Sequence, residues 1–306
     1  MDIQNPKKVF SRIALSAAVQ MLLYQLLATV AITCVYAFAP LHIAQAKWMV
    51  WVCNYVPYYG IAIPAMLIIL RAIPDTEQWQ LEKRRIGAKH FVLLLLVCWG
   101  ISGALGVVSN LITLIIETLK GAPLGSTQSK ELMMEQPWLY FFVAVICAPI
   151  VEEYVFRYVL YKKLARYGGK VYVLFSAFLF AMCHANIGQL FYAFVIGLVL
   201  AAVYYFSGNI RHTIALHMAF NFVGGSVAIF LLHYAGVGMV AAWSLVALGC
   251  MTAGCIIGVS WWKKHKQDLY FRPGEMAATR QDMFKNSGTI FFIVIIVAIM
   301  LLGIVA

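Results

Sequence analysis

Charge is scarce in this sequence. Of 306 residues, 11% are Asp, Glu, Lys or Arg and 63% are hydrophobic, against about 25% charged and about 45–50% apolar in an ordinary soluble domain. That balance excludes a conventional water-soluble fold. Loop cysteines are also missing. All seven cysteines (Cys34, Cys53, Cys98, Cys147, Cys183, Cys250 and Cys255) fall inside apolar stretches. The odd count and the lack of paired loop cysteines speak against a disulfide framework and a thiolate metal site, and leave them as small packing residues. There is no H-E-x-x-H and no G-x-S-x-G, so the zinc site of the first class and the nucleophile turn of the second are absent. No aspartate lies in an apolar block, and no internal repeat or low-complexity tract is visible.

What is present is apolar length. Nine blocks run roughly over 13–39, 48–70, 91–118, 138–160, 171–187, 189–207, 212–232, 236–261 and 289–306, most of them near the roughly 20 residues that a bilayer requires. The predicted fold class is an all-α, polytopic transmembrane helix bundle of about eight or nine spans. The first block ends in Ala37-Phe38-Ala39, like a cleaved signal, but its apolar core is far longer than the roughly 7–15 residues of a signal peptide. It reads as a retained helix. The sequence divides into an N-terminal group of helices with loops (1–137), a core (138–232) and C-terminal helices (233–306).

The net charge of +11 raises nucleic-acid binding, but its distribution points to a lipid bilayer as the partner and to no nucleic acid. Lys7, Lys8 and Arg12 precede the first block. Arg71, Lys83, Arg84, Arg85 and Lys89 follow the second, and Lys162, Lys163, Arg166 and Lys170 follow the fourth. Arg211 follows the sixth, and Lys263, Lys264, Lys266, Arg272, Arg280 and Lys285 follow the eighth. The alternate loops hold Lys47, then Lys120 and Lys130, then none. Basic loops mark the cytoplasmic side and face anionic lipid. Strict alternation places the N-terminus in the cytoplasm and the C-terminus outside, and the expected home is a bacterial cell membrane. The loops 119–137 and 262–288 read as surface connections.

Ionisable residues deep in these blocks are few. A charge at the bilayer centre costs about 2.5–3.5 kcal/mol on insertion scales, so such residues are functional by default. Of twelve acidic residues, Glu152 and Glu153 are the intramembrane ones; of seven histidines, His184 and His217 are inward. Arg157 and the amide Asn221 complete six expensive groups. Glu153 and Arg157 are four apart and meet on one helical face. Glu152 sits about 100° around the helix and is free of that pairing. Pro149, one turn earlier, removes a backbone hydrogen bond. Phe180 and His184, and His217 and Asn221, also share faces. A buried glutamate can act as general base toward water. Imidazoles can hold that water, shuttle protons or ligate a metal, and an amide can donate to an oxyanion.

At these residues the sequence resembles the CPBP family of intramembrane endopeptidases, which includes the CAAX type 2 proteases and the bacteriocin-processing Abi proteins. Glu152-Glu153-Tyr154-Val155-Phe156-Arg157 resembles its E-E-x-x-x-R, Phe180 to His184 its F-x-x-x-H, and His217 to Asn221 its H-x-x-x-N. The resemblance covers about residues 138–230, including a connection with Gln189, Tyr192 and Gly197. It implies that Glu152 activates the attacking water, that His184 and His217 complete the site and that Asn221 supplies the oxyanion donor. Glu153 and Arg157 would support them, and Phe180 would line the substrate pocket. The substrate implied is a membrane-associated peptide or protein. The cofactor stays open: zinc, with His184 and His217 as ligand candidates, and a metal-free glutamate mechanism suit the residues equally. Tyr158 departs from the family, many of whose members have Gly there.

Two other functions compete. A proton-coupled transporter would use the same groups as a relay, yet no inverted halves or matching broken helices are visible. A catalytically silent membrane scaffold would need none of them. Singly, each histidine fits a hydrogen-bonded core residue and Asn221 fits helix–helix glue. Block limits also leave Glu152 about 12 Å, His217 about 8 Å and His184 about 20 Å from the cytoplasmic ends of their blocks, at about 1.5 Å per residue, a mismatch of depth.

Overall fold

The nine apolar blocks are nine helices in the computed structural model, which describes residues 5–76, 81–124 and 135–305. We number them α1 (Pro6–Phe38), α2 (Lys47–Arg71), α3 (Ala88–Lys120), α4 (Pro137–Tyr167), α5 (Gly169–Met182), α6 (Ile187–Ser207), α7 (Ile210–Ala235), α8 (Val237–His265) and α9 (Ser287–Val305). The chain is 84% helical. Eight of these helices are long and apolar enough to cross a membrane, and α5 is shorter. Together they form an all-α, polytopic helix bundle. Of the loop 119–137, residues 125–134, with Lys130, lie outside the described residues.

The helix ends follow local chemistry. Asn5 caps α1, its side chain accepting from the Lys8 N–H, and Pro6 occupies the first helical position, where a missing N–H costs nothing. Asn186 and Asn209 cap α6 and α7 in the same way. Gly121 and Gly208 end α3 and α6 in the left-handed conformation, which an L-side chain rarely adopts. Several spans contain π-helical turns: 58–62 in α2, 141–147 and 154–159 in α4, and 222–226 in α7. Such turns commonly occur at functional sites.

The chain divides into two compact units. The first comprises 1–75 with 277–302. In it α1 packs along α2, and Gly288 at the start of α9 donates its N–H to Ser11 Oγ (3.0 Å). The second unit, 76–276 with 303–306, holds α3 to α8. There α3 packs on α8 and α6, α6 on α5, and α7 on α4. The α3–α8 crossing is backbone-close, since a Cβ at Gly100 would strike the Met251 and Gly254 backbone, and one at Gly254 would strike the Leu96 carbonyl. Small residues permit such an approach in lipid, where packing rather than hydrophobicity drives association. The loop after α8 folds back on the α4–α5 turn: Gly169 N–H donates to Arg272 O (3.1 Å) and Met276 N–H to Arg166 O (3.0 Å).

Candidate active site

The polar residues predicted from the sequence lie on α4 and α7 and just past the end of α5. Glu153 and Arg157 are fully buried in α4 (0% exposed) and lie 3.0 Å apart, Oε2 to Nε. The Nε–H is not aimed along that line, so the contact is ionic rather than a well-formed hydrogen bond. Arg157 also donates from Nη1 to Ser176 Oγ (3.2 Å), and its guanidinium lies 4.6 Å from the centre of the Phe180 ring. An arginine stripped of water needs such multiple partners.

The other oxygen of Glu153 reaches across to α7. Glu153 Oε1 lies 3.0 Å from His217 Nδ1, a contact between residues 64 apart in the chain that no spacing rule reveals. A carboxylate accepts, so Nδ1 carries a proton and donates it, and Nε2 is turned toward the other carboxylate. That Nε2 lies 3.9 Å from Glu152 Oε2. The gap is too long for a direct hydrogen bond and short enough for one water to touch both atoms. Glu152 keeps some exposure (15%) whereas Glu153 keeps none. The adjacent carboxylates therefore occupy different environments, one locked and one open.

His184 sits just past the last turn of α5. Its backbone N–H bonds Ala181 O (3.2 Å) rather than Phe180 O, and the freed Phe180 carbonyl accepts from His184 Nδ1 (2.7 Å). A carbonyl accepts only, so His184 likewise presents Nε2. The next residue, Ala185, has φ 46°, a left-handed conformation that an alanine adopts at a cost. Phe180 is buried (2% exposed). Its ring contacts both imidazoles, with centroids 4.9 Å from His184 and 5.7 Å from His217. It acts as a spacer between the two rings.

Asn221 donates from Nδ2 to Ala144 O (2.8 Å). The reason is local to α4. In the π turn the Ala148 N–H turns to Val143 O, and Pro149, the next residue along, has no N–H to offer. The orphaned Ala144 carbonyl takes the side-chain amide instead. One N–H of Asn221 is thus committed to structure and one remains. Tyr158 stacks on Tyr154, with centroids 5.6 Å apart, and the Lys162 ammonium lies 4.6 Å from its ring centre. This aromatic pair is on the outward side of α4, where Tyr154 is 45% exposed.

True helix ends bring Glu152 and His184 to a similar depth, while His217, on α7, which starts at Ile210, stays nearer its helix start. α4 runs to Tyr167, seven residues beyond the block limit, and α5 begins at Gly169. Glu152 is fifteen residues before Tyr167 and His184 fifteen after Gly169, about 22 Å in each case at about 1.5 Å per residue. A cavity of about 240 Å³ lies elsewhere, lined only by apolar side chains including Leu105, Phe178, Met182 and Phe194. None of the site residues lines it.

A zinc ion needs three or four converging protein ligands. Among the described residues no three His, Cys, Asp or Glu side chains converge into such a set. As arranged, the residues do not fit zinc, and the chemistry below is derived without it.

Fold and site together define a multi-pass membrane protein with a buried Arg–Glu–His–Glu chain of polar groups. Residues 134–223 match the family described as type II CAAX prenyl endopeptidase, Rce1-like. This is the family that the three motifs resemble. The match covers all seven site residues and under a third of the chain. Neither a curated protein nor a solved structure matches.

Proposed function

We propose that the protein is an intramembrane endopeptidase that uses a glutamate-activated water, without a metal, on a membrane-associated peptide or protein. One observation carries the reading: His217 is held between the two carboxylates, with Nδ1 on Glu153 (3.0 Å) and Nε2 facing Glu152 (3.9 Å). An imidazole whose second nitrogen is fixed by a buried carboxylate is oriented for work at the first.

The reaction then runs as follows. Water enters between Glu152 and the imidazoles and gives a proton to Glu152 as its oxygen bonds the scissile carbonyl carbon. The carbonyl π electrons move onto the carbonyl oxygen, giving a tetrahedral oxyanion. Collapse re-forms the carbonyl and breaks the C–N bond, and Glu152 returns its proton to the departing amine. His184 and His217 hold the water through Nε2, and the remaining Asn221 N–H donates to the oxyanion. Glu153 and Arg157 are positioning residues: Arg157 pairs with Glu153 and Glu153 holds the His217 ring. Phe180 sets the spacing of the two imidazoles.

The substrate class follows from the family, whose description names prenyl endopeptidases. It is a polypeptide whose C-terminal region is held at the membrane by an isoprenoid. Basic helix ends support a cytoplasmic N-terminus and a site reached from the cytoplasm, in a bacterial cell membrane. The test is reconstitution of the full chain in liposomes with an internally quenched, farnesylated C-terminal peptide. Wild-type cleavage that is lost in Glu152→Gln supports the reading, and equal cleavage by both proteins overturns it. Membrane proteomics of the same pair for new peptide termini would then identify native substrates.

A further inference from the structure

The α5 side of the site begins earlier in the chain than its motif does. Tyr172, Ser176 and Phe180 recur every four residues, with His184 next in the series, so they share one face of the helix. Phe180 and His184 belong to a motif, whereas Ser176 belongs to none. It is fully buried (0% exposed), and its hydroxyl donates to Phe156 O on α4 (2.6 Å). The π turn at 154–159 makes that acceptor available. The Leu160 N–H, which a regular helix would aim at Phe156 O, bonds Val155 O and Arg157 O instead.

A serine hydroxyl has one proton. With it committed to Phe156 O, Ser176 Oγ can only accept, and what it accepts is Arg157 Nη1 (3.2 Å). That bond fixes the guanidinium. Its Nε–Nη2 edge could dock a carboxylate through two parallel hydrogen bonds. Here neither nitrogen makes a hydrogen bond among the described residues, although Glu153 Oε2 lies 3.0 Å from Nε. Arg157 is thus held out of bidentate register, and Glu153 Oε1 is left to His217 Nδ1 (3.0 Å). Release of Nη1 would let the guanidinium turn onto both oxygens and take Oε1 from the imidazole.

We propose that Ser176 is a positioning residue of this site: by holding Arg157 Nη1 it divides the two oxygens of Glu153 between Arg157 and His217, and so aims His217 Nε2 at Glu152. The inference rests on the protease reading above and adds to it a residue outside the three motifs. Ser176 acts through contacts in series, Ser176 to Arg157 (3.2 Å), Arg157 to Glu153 (3.0 Å) and Glu153 to His217 (3.0 Å). An imidazole that loses the partner of its second nitrogen loses its orientation, and substrate binding does not depend on that orientation. The effect therefore falls on kcat rather than on KM.

The experiment compares wild type, Glu152→Gln and Ser176→Ala in the same liposomes with the quenched farnesylated peptide. It is run well below the unfolding midpoint of each protein, because Ser176→Ala also deprives Phe156 O of its donor. Since a misplacement of about 1 Å can cost about 10²-fold, we expect Ser176→Ala to lower kcat by about 10–100-fold with KM changed less than about twofold. A second readout needs no substrate: proton NMR of the full chain in detergent with histidine-selective isotope labelling, the His217 Nδ1–H signal being assigned by its loss in His217→Gln. The carboxylate-bonded proton is expected in wild type and absent in Ser176→Ala. A Ser176→Ala kcat equal to wild type overturns the proposal, as does a fall in kcat with that proton signal unchanged. No cleavage by wild type overturns the protease reading itself and this proposal with it. Cleavage that depends on Glu152 but not on Ser176 overturns only the proposal.

Discussion

Both units bury polar side chains in apolar helices, and they do so for different ends. In the first unit, Ser16, Gln20 and Tyr24 recur every four residues along α1. Ser16 Oγ bonds Ile13 O (2.7 Å), Tyr24 donates to Asn54 Oδ1 (3.1 Å) and Asn54 Nδ2 bonds Val50 O (2.7 Å). All are neutral, and most bonds run within one helix. In the second unit four buried or nearly buried ionisable groups, Arg157, Glu153, His217 and Glu152, form a chain that links two helices, α4 and α7. Neutral polar pairs in lipid are modest glue, about 0.6 kcal/mol each on average. A charged chain that bridges helices is far costlier to assemble and persists where it performs chemistry.

Substitutions can break that contrast. The largest effect belongs to Glu152→Gln, which removes the base and is expected to lower turnover about 10²–10⁴-fold with little change in unfolding midpoint. A comparable loss of stability would instead make Glu152 a structural partner like its neighbour. Next comes Glu153→Ala, which leaves Arg157 buried without its anion and should destabilise the second unit by about 3–5 kcal/mol. Denaturation monitored in detergent reads this, and full stability would deny Glu153 its structural half. In the first unit, Tyr24→Phe removes one neutral bond and should cost about 0.5–1.5 kcal/mol while leaving peptide cleavage at the wild-type rate. Loss of cleavage with the fold intact would put chemistry where we see only glue.

The smallest effect is a pH dependence outside the spans. Asp282 caps the short helix Arg280–Phe284 in a reciprocal box with Thr279. Hydrogen bonds from the Thr279 side chain and backbone hold its carboxyl below the usual aspartate value. A folded-state value below the unfolded one contributes stability above the unfolded pKa, and this is lost as pH falls through the folded value. Hydrogen exchange over 279–290 should therefore speed up below about pH 4, and Asp282→Asn should remove that step. The same acid step in the variant would assign it to another group.

How much of this was legible beforehand varies by level. Nine helices could be read because apolar length is a strong signal, and their ends shifted by up to seven residues because amphipathic Tyr and Lys continue α4 past its apolar block. The six polar groups stood out because each is expensive in lipid. Their partners did not. Spacing gives neighbours four residues apart, so Glu153 was paired with Arg157 and its bond to His217 was missed. Asn221 was read for its free amide, and its structural bond depends on a π turn followed by proline, which a 3.6-residue period cannot show. The one signal that could have found it is Pro149, whose missing N–H strands a carbonyl about one turn earlier.

α5 has 14 residues and is about 21 Å long, against a hydrocarbon core of about 30 Å. Its first residues meet the basic α4–α5 turn, so its last turn, with His184 and the strained Ala185, ends well short of the far leaflet. Peptide groups released there must face protein or water rather than acyl chains. A bilayer that meets α5 relieves this mismatch by thinning, at a cost that shorter lipid chains lower and longer ones raise.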